Sequence, residues 1–223
     1  MKLFLNGKQN GSYSSLLEFT NNLKEGGAHE VIIFPPFPYL SFINYNKIKV
    51  GAQNVSEFEN GAFTGEVGAK MLKEVNVKYC LIGHSERRLY FKEDNNILSK
   101  KITHLLNHSI IPVLCVGESL KERKCGTMFK VLEEQMKVFQ EKVIVAYEPI
   151  WAIGTGSIPT IKEISEVAIF FKQNYNISIL YGGSVNESNI KEISSISNIE
   201  GVLVGGASLE FKKVNKMLEL CLL

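Results

Sequence analysis

The chain has 223 residues, 45% of them hydrophobic, enough apolar material for one sizeable globular domain taken as residues 1–223. It carries 25 basic and 23 acidic side chains, a net charge of +2 with no basic block, which leaves no footprint for nucleic acid or an anionic membrane and points to a small-molecule ligand. The apolar start at residues 1–5 is too short for a signal peptide, and no apolar run approaches the ~20 residues that span a bilayer, so a cytoplasmic protein is expected.

Short β-rich runs alternate with amphipathic runs from end to end. The candidate strands are residues 3–6, 30–34, 48–53, 79–83, 111–115, 143–147, 177–181 and 201–204. Between them lie helical patterns, with Ile97, Lys101, Leu105 and Leu106 sharing one and Val131, Met136, Val138 and Phe139 another. Eight such repeats predict parallel strands with crossover helices, as an open doubly wound sheet or a closed barrel. The first strand runs into Asn6-Gly7-Lys8-Gln9-Asn10, not the Gly-rich turn of a dinucleotide-binding open sheet, which favours a (β/α)8 barrel. Polar and Gly residues gather after almost every strand: Asn6 and Lys8, Gln53 and Asn54, His84, Glu118, Glu148, residues 182–184 and 205–208. In a barrel these ends converge on one face. The chain is shorter than the roughly 250 residues usual for that fold, so trimmed helices and loops are expected. Cys80, Cys115, Cys125 and Cys221 lack metal-type spacing, and without export they read as reduced thiols; no metal is expected.

Four groups of residues carry chemistry. In Ala146-Tyr147-Glu148-Pro149-Ile150-Trp151-Ala152-Ile153-Gly154-Thr155-Gly156, an apolar strand ends on a carboxylate and enters a loop stiffened by Pro149 and hinged by Gly154 and Gly156, which reads as a base with its own lid. The same residues also fit a solvated loop carboxylate and a stray surface aromatic. In Gly83-His84-Ser85-Glu86-Arg87-Arg88, His84 leaves the fourth strand where a short helix can begin, so its ring would face backbone N–H groups that disfavour imidazolium. A structural histidine at a strand end fits as well. Tyr181-Gly182-Gly183-Ser184 and Val204-Gly205-Gly206-Ala207-Ser208 follow strands seven and eight, the usual phosphate corner of such a barrel. Lys8 is the remaining candidate cation, with Glu86 as its ion-pair partner, whereas Lys121-Glu122-Arg123-Lys124 reads as a solvated helix face.

These motifs, with Cys115-Val116-Gly117-Glu118 and Gly61-Ala62-Phe63-Thr64-Gly65-Glu66, resemble the triosephosphate isomerase family from Asn6 through Leu209. The resemblance implies interconversion of dihydroxyacetone phosphate and D-glyceraldehyde 3-phosphate through an enediolate, in glycolysis and gluconeogenesis, with no cofactor. Glu148 matches the family's base and His84 its electrophile; the family is itself the standard instance of this neutral histidine and closing loop, so both assignments are the family's. Lys8 and Asn6 match the groups that stabilise substrate charge, Gly154, Ser184, Gly205 and Gly206 the phosphate grip, and Glu86 the residue beside Lys8. The loop from Gly61 to Glu66, with Thr64 near its tip, matches one that enters a neighbouring subunit, implying a homodimer.

Two positions depart from the family pattern. Gly7 stands where the family usually has Trp, removing a packing group beside Lys8, and Ser157-Ile158-Pro159 follows Gly156 where a Lys is common, which touches the rear hinge of the lid. A barrel isomerase acting on a phosphoribosyl substrate would need a different base and a larger pocket. A catalytically silent scaffold is disfavoured by intact Glu148, His84 and Lys8.

Overall fold

Alternation along each strand builds this molecule: successive side chains point to opposite faces of a strand, so an all-apolar run fills two layers at once. The computed structural model describes residues 1–24, 26–43, 48–154 and 157–221. In chain order the elements are β1 (Lys2–Asn6), α1 (Tyr13–Asn22), β2 (Glu30–Phe34), β3 (Lys49–Ala52), α2 (Ala69–Glu74), β4 (Tyr79–Ile82), α3 (Ser85–Phe91), α4 (Asn95–Asn107), β5 (Ile111–Val116), α5 (Leu120–Lys124), α6 (Met128–Met136), β6 (Ile144–Tyr147), α7 (Ile161–Tyr175), β7 (Ile179–Tyr181), α8 (Ile190–Ser194), β8 (Ile199–Val204) and α9 (Phe211–Cys221). The strands pair in sequence order, all parallel, and β8 closes onto β1. The fold is the expected (β/α)8 barrel.

One set of alternate residues fills the barrel. Phe4, Phe34, Leu81, Cys115, Ala146, Leu180 and Leu203 belong to this inner cluster, and the Phe4 ring lies 5.4 Å from Phe34 and 5.1 Å from Tyr79. Gly51 makes room there, because a Cβ at that position would fall 2.2 Å from the Phe34 ring. The other set, including Leu5, Ile33, Ile82, Val116, Tyr147 and Val204, packs outward with Leu98, Ile102, Val167, Phe171 and Met217 of the helices. Capping boxes start α1 at Ser12, α5 at Ser119 and α7 at Thr160.

The expected trimming falls in particular crossovers. Between β2 and β3 the described chain carries only a 3-10 helix, Phe37–Phe42, opened by Pro36 and carrying Pro38, where missing N–H groups work against an α-helix. Helix α8 has 5 residues and α2 has 6.

Predicted boundaries shift where backbone conformation intervenes. The strand predicted over 79–83 stops at Ile82, since Gly83 turns to φ +64°, and the one predicted over 143–147 starts at Ile144, after Lys142 at φ +72°. The helical pattern through Val138 and Phe139 ends at Met136, and Phe139 instead packs its ring 6.0 Å from Tyr175. Lys101, on the apolar stripe of α4, is buried and reaches Glu93 at 2.5 Å and Asn54 Oδ1 at 2.7 Å, while Arg87 shares Glu93. Two cations on one buried carboxylate offset a desolvation cost that a lone buried charge would carry unrelieved.

Candidate active site

Counting by twos up the inner column of five strands gives part of the site; His84 instead follows the turn at Gly83, φ +64°, after the inner Leu81 of β4. Two residues beyond Phe4 is Asn6, beyond Gly51 is Gln53, beyond Ala146 is Glu148, beyond Leu180 is Gly182 and beyond Leu203 is Gly205. The pleat that buries the core residue therefore aims the next inner residue into the carboxyl-terminal mouth.

His84 and Glu148 meet at its centre. His84 is 4% exposed and Glu148 3%, and His84 Nε2 lies 3.5 Å from Glu148 Oε1. At its other nitrogen, His84 Nδ1 accepts the Glu86 backbone N–H at 3.3 Å as the N-cap of α3, which assigns the ring proton of the neutral imidazole to Nε2. Neither His84 Nε2 nor Glu148 Oε2 has a hydrogen-bond partner among the described residues. Two packed neighbours fix Glu148: a Cβ at Gly182 would fall 2.7 Å from its Cγ, and one at Gly117 would strike its backbone carbonyl oxygen. Burial, with the adjacent Glu148 carboxylate, pushes the Cys115 thiol above its usual range. On the same side Arg88 donates to the carbonyls of Gly83 at 2.8 Å and Cys115 at 3.2 Å, and burial lowers its pKa.

Lys8 comes from the turn after β1. Its backbone N–H donates to Asn6 Oδ1 at 3.0 Å, and its ammonium pairs with Glu86 Oε1 at 2.5 Å, the partner expected from the sequence. Gly7, with Phe19, Phe34 and Tyr39, lines a largely apolar cavity of about 120 Å³.

The loop after β6 forms a 3-10 turn, Ile150–Ala152, and Gly154 follows at φ +67°. Thr155 and Gly156, part of the expected lid, lie outside the described residues. The front of this loop is tied to Glu118, which is fully buried: its Oε1 accepts from Trp151 Nε1, Tyr147 OH and Arg123 Nη1, each at 3.1 Å. Ser184 Oγ adds a bond to the Ala152 carbonyl at 2.7 Å. The reading of residues 121–124 as a solvated face is corrected here for Arg123, which reaches Glu118 and Glu163 and stacks its guanidinium 5.6 Å over Trp151. Burial works against that cation, but Tyr147, Glu118 and Glu163 together hold its pKa above the arginine norm. The signal was present: Glu118 follows β5 and Trp151 follows β6, and neighbouring parallel strands put their exits side by side.

The Gly-rich turns complete the mouth. Asn6, Lys8, His84, Glu148, Gly154, Ser184, Gly205 and Gly206 all border one cavity of about 290 Å³, so every residue expected at the site is brought together around it except Glu86, which stands behind Lys8. Ser208 Oγ donates to the Asn6 carbonyl at 3.2 Å, joining the last turn to the first. The described residues contain no group of three or more His, Cys, Asp or Glu side chains that could hold a metal ion.

Beside this cavity a wider one of about 620 Å³ runs over Lys8, Glu86, Phe37, Tyr90 and Phe91. The Gly61 to Glu66 loop stands out from the barrel, closed at its root by the Ser56 N–H to the Val67 carbonyl at 2.9 Å and stiffened by Phe58 stacked on Phe63 at 3.8 Å.

A family model, triosephosphate isomerase, matches residues 1–221. The chain is 47% identical over 184 residues to the triosephosphate isomerase of Mesomycoplasma hyorhinis, covering 79% of this chain and 76% of that protein. It is 40% identical over 230 residues to that of Alkaliphilus metalliredigens, covering 92% and 93%, and 39% identical over 232 residues to that of Legionella pneumophila strain Philadelphia 1, covering 93% of each.

Proposed function

This chain belongs to the triosephosphate isomerase family, and from that premise we propose that it interconverts dihydroxyacetone phosphate and D-glyceraldehyde 3-phosphate, as a step of glycolysis and gluconeogenesis in the cytoplasm. The observation that carries the reading is the buried His84–Glu148 pair, whose unpartnered Nε2–H donor and carboxylate oxygen face one cavity with Lys8 and the Gly turns. An unsatisfied buried donor and acceptor cost stability, and a substrate that uses both relieves that cost.

In the reaction, Glu148 takes a proton from the carbon beside the carbonyl and returns it to the neighbouring carbon. His84 donates its Nε2–H to the carbonyl oxygen, so charge developing there meets a donor already in place; this family is the standard example of that arrangement. The ring then passes protons between the two oxygens of the enediolate. Asn6 and the Lys8 ammonium stabilise negative charge on the substrate. Ser184, Gly205 and Gly206 take the phosphate, and Gly154 joins them when the lid closes. Closure matters because an enediolate phosphate can expel its phosphate, and water exclusion strengthens each charge interaction inside. Phosphate contacts remote from the reacting carbons supply the binding energy for that movement.

We further infer a homodimer in which the Gly61 to Glu66 loop of one protomer enters the wide groove over Tyr90 and Phe91 of its partner, with Thr64 near Lys8. The stiffened, projecting loop and an exposed groove that shares Asn6, Lys8 and His84 with the site support it. No helix among the described residues is long and apolar enough to cross a membrane.

A coupled assay on purified protein tests the activity: turnover of both triose phosphates is expected, and turnover of a phosphoribosyl substrate alone, or of neither, overturns the reading. Sedimentation tests the assembly, with twice the 25.0 kDa chain mass expected for the wild type and a monomer of low activity for Thr64→Arg. A fully active wild-type monomer refutes the dimer.

A further inference from the structure

Gln53 ends the inner column of β3, and no step of the proposed chemistry uses it. Its side-chain amide is half-buried, and Nε2 lies 2.8 Å from the carbonyl oxygen of Lys8 and 2.8 Å from that of Phe34. The Phe34 carbonyl also accepts the Gly7 N–H at 3.1 Å. One amide group therefore bridges the end of β2 and the turn that carries Lys8.

That turn needs a brace. Lys8 sits at φ +50°, a left-handed conformation that a residue with a Cβ adopts only when its surroundings hold it there. Gly7 before it offers no side chain to pack, and a Cβ built there would meet only the Phe34 carbonyl oxygen, at 3.4 Å. The Lys8 backbone is thus fixed by polar contacts: its N–H by Asn6 Oδ1 at 3.0 Å, and its carbonyl by Gln53. The ammonium at the far end of the same side chain is held by Glu86.

We propose that Gln53 is a positioning residue for Lys8: its amide locks the left-handed Lys8 backbone against the end of β2, so that the ammonium meets the phosphorylated substrate without first reorganising. Glutamine suits the task, since it must reach two carbonyls from another strand and donate to both; a glutamate would set a carboxylate against two carbonyl oxygens, and an asparagine is one methylene too short. The proposal rests on the reading that Lys8 binds the substrate.

The test is Gln53→Met, which keeps the volume and removes both donors, with Gln53→Asn as a milder second variant if the first does not fold. In both, KM for the triose phosphates and the inhibition constant of inorganic phosphate are expected to rise together, about tenfold for Gln53→Met, while kcat stays within about threefold. Adding Gly7→Ala to either variant is expected to recover part of the loss, because a side chain at that position narrows the conformations open to the turn. A lowered thermal midpoint with unchanged KM and phosphate inhibition would reduce Gln53 to a structural role and overturn the proposal, as would a KM effect that vanishes at higher protein concentration, which would mean action through subunit association. A wild type that turns over no triose phosphate overturns the functional reading instead, a result separable from failure of the brace.

Discussion

The two ends of the barrel treat charge in opposite ways. At the amino-terminal end, Lys2 reaches Glu200 at 2.5 Å, and Glu30 accepts from the Tyr79 hydroxyl at 2.7 Å and from Lys49. Burial alone would raise the pKa of Glu30, but the hydrogen bonds from Lys49 and Tyr79, together with the charges of Lys49 and Lys2, outweigh it and hold the carboxyl below its ordinary 4.5. At the carboxyl-terminal end, His84 Nε2 and Glu148 Oε2 stay unpartnered at similar or greater depth. The strands are the same; the charges named at the amino-terminal end are satisfied by the protein, whereas at the mouth, beside the paired Lys8–Glu86 and Arg123–Glu118, His84 and Glu148 each keep an atom for a ligand. One end is built for stability and the other gives some of it up, at about 1–3 kcal/mol per unsatisfied buried group.

The largest effect is expected where the contrast is sharpest. Glu148→Asp withdraws the carboxylate by about 1 Å and is expected to lower kcat by about 100-fold or more with KM little changed, read in steady-state kinetics. Equal losses in affinity and rate would mean that the carboxylate mainly binds. Lys8→Ala should come next, with kcat/KM down by about 100-fold and most of the loss in KM, since the cation facing the dianion is gone; unchanged constants would remove Lys8 from the site.

The lid offers a finer test. Trp151 is the chain's only tryptophan, so its fluorescence reports the Glu118 anchor directly. Inorganic phosphate is expected to shift that emission in the wild type, and Arg123→Met to blunt the shift and change kcat/KM several-fold. An emission indifferent to phosphate would detach Trp151 from ligand binding.

Effects at the other end should appear in stability alone. Tyr79→Phe is expected to cost about 1–2 kcal/mol in denaturant unfolding, a few degrees of Tm, with kcat and KM intact; lost activity would erase the division between the two ends. The smallest effect is in pH. Glu30 and Glu163 both titrate below their ordinary 4.5 in the folded protein, Glu163 because hydrogen bonds from Thr160 and the nearby Arg123 overcome its burial. A depressed folded pKa means stability that is present above pH 4.5 and lost as pH falls through the folded values. Glu30→Gln should therefore flatten the acid limb of a stability profile, and an unchanged limb would show that Glu30 contributes nothing there.

Much of the site was legible because a strand carries its own geometry. Ala146 and Glu148 lie two apart, as do Phe4 and Asn6 or Leu203 and Gly205, so an inward core residue specifies an inward mouth residue without reference to the rest of the chain. The Lys8–Glu86 pair followed once the strand ends were known to converge. Arg123 was misread because its own neighbours, Lys121, Glu122 and Lys124, are charged, and what draws it inward is Glu118, Glu163 and Trp151 on other segments. Lys101 shows the same limit. Its place on the apolar stripe of α4 was visible, but its partner Glu93 comes from the turn between α3 and α4, and the Asn54 contact depends on how α4 lies against the turn after β3.

By itself, the sequence determined the number and order of the strands, the parallel barrel, and the residues that reach its mouth, because hydrophobic alternation and turn chemistry act over a few consecutive residues. Only the tertiary structure decided how those residues hold one another: Gln53 gripping the Lys8 carbonyl, Glu118 gathering Trp151, Tyr147 and Arg123, and His84 turning Nδ1 to the Glu86 amide so that Nε2 faces Glu148. Most of these contacts join separate strands and loops, and hydrogen bonds a few ångströms long exist only once the barrel has closed and fixed the spacing of its strand ends.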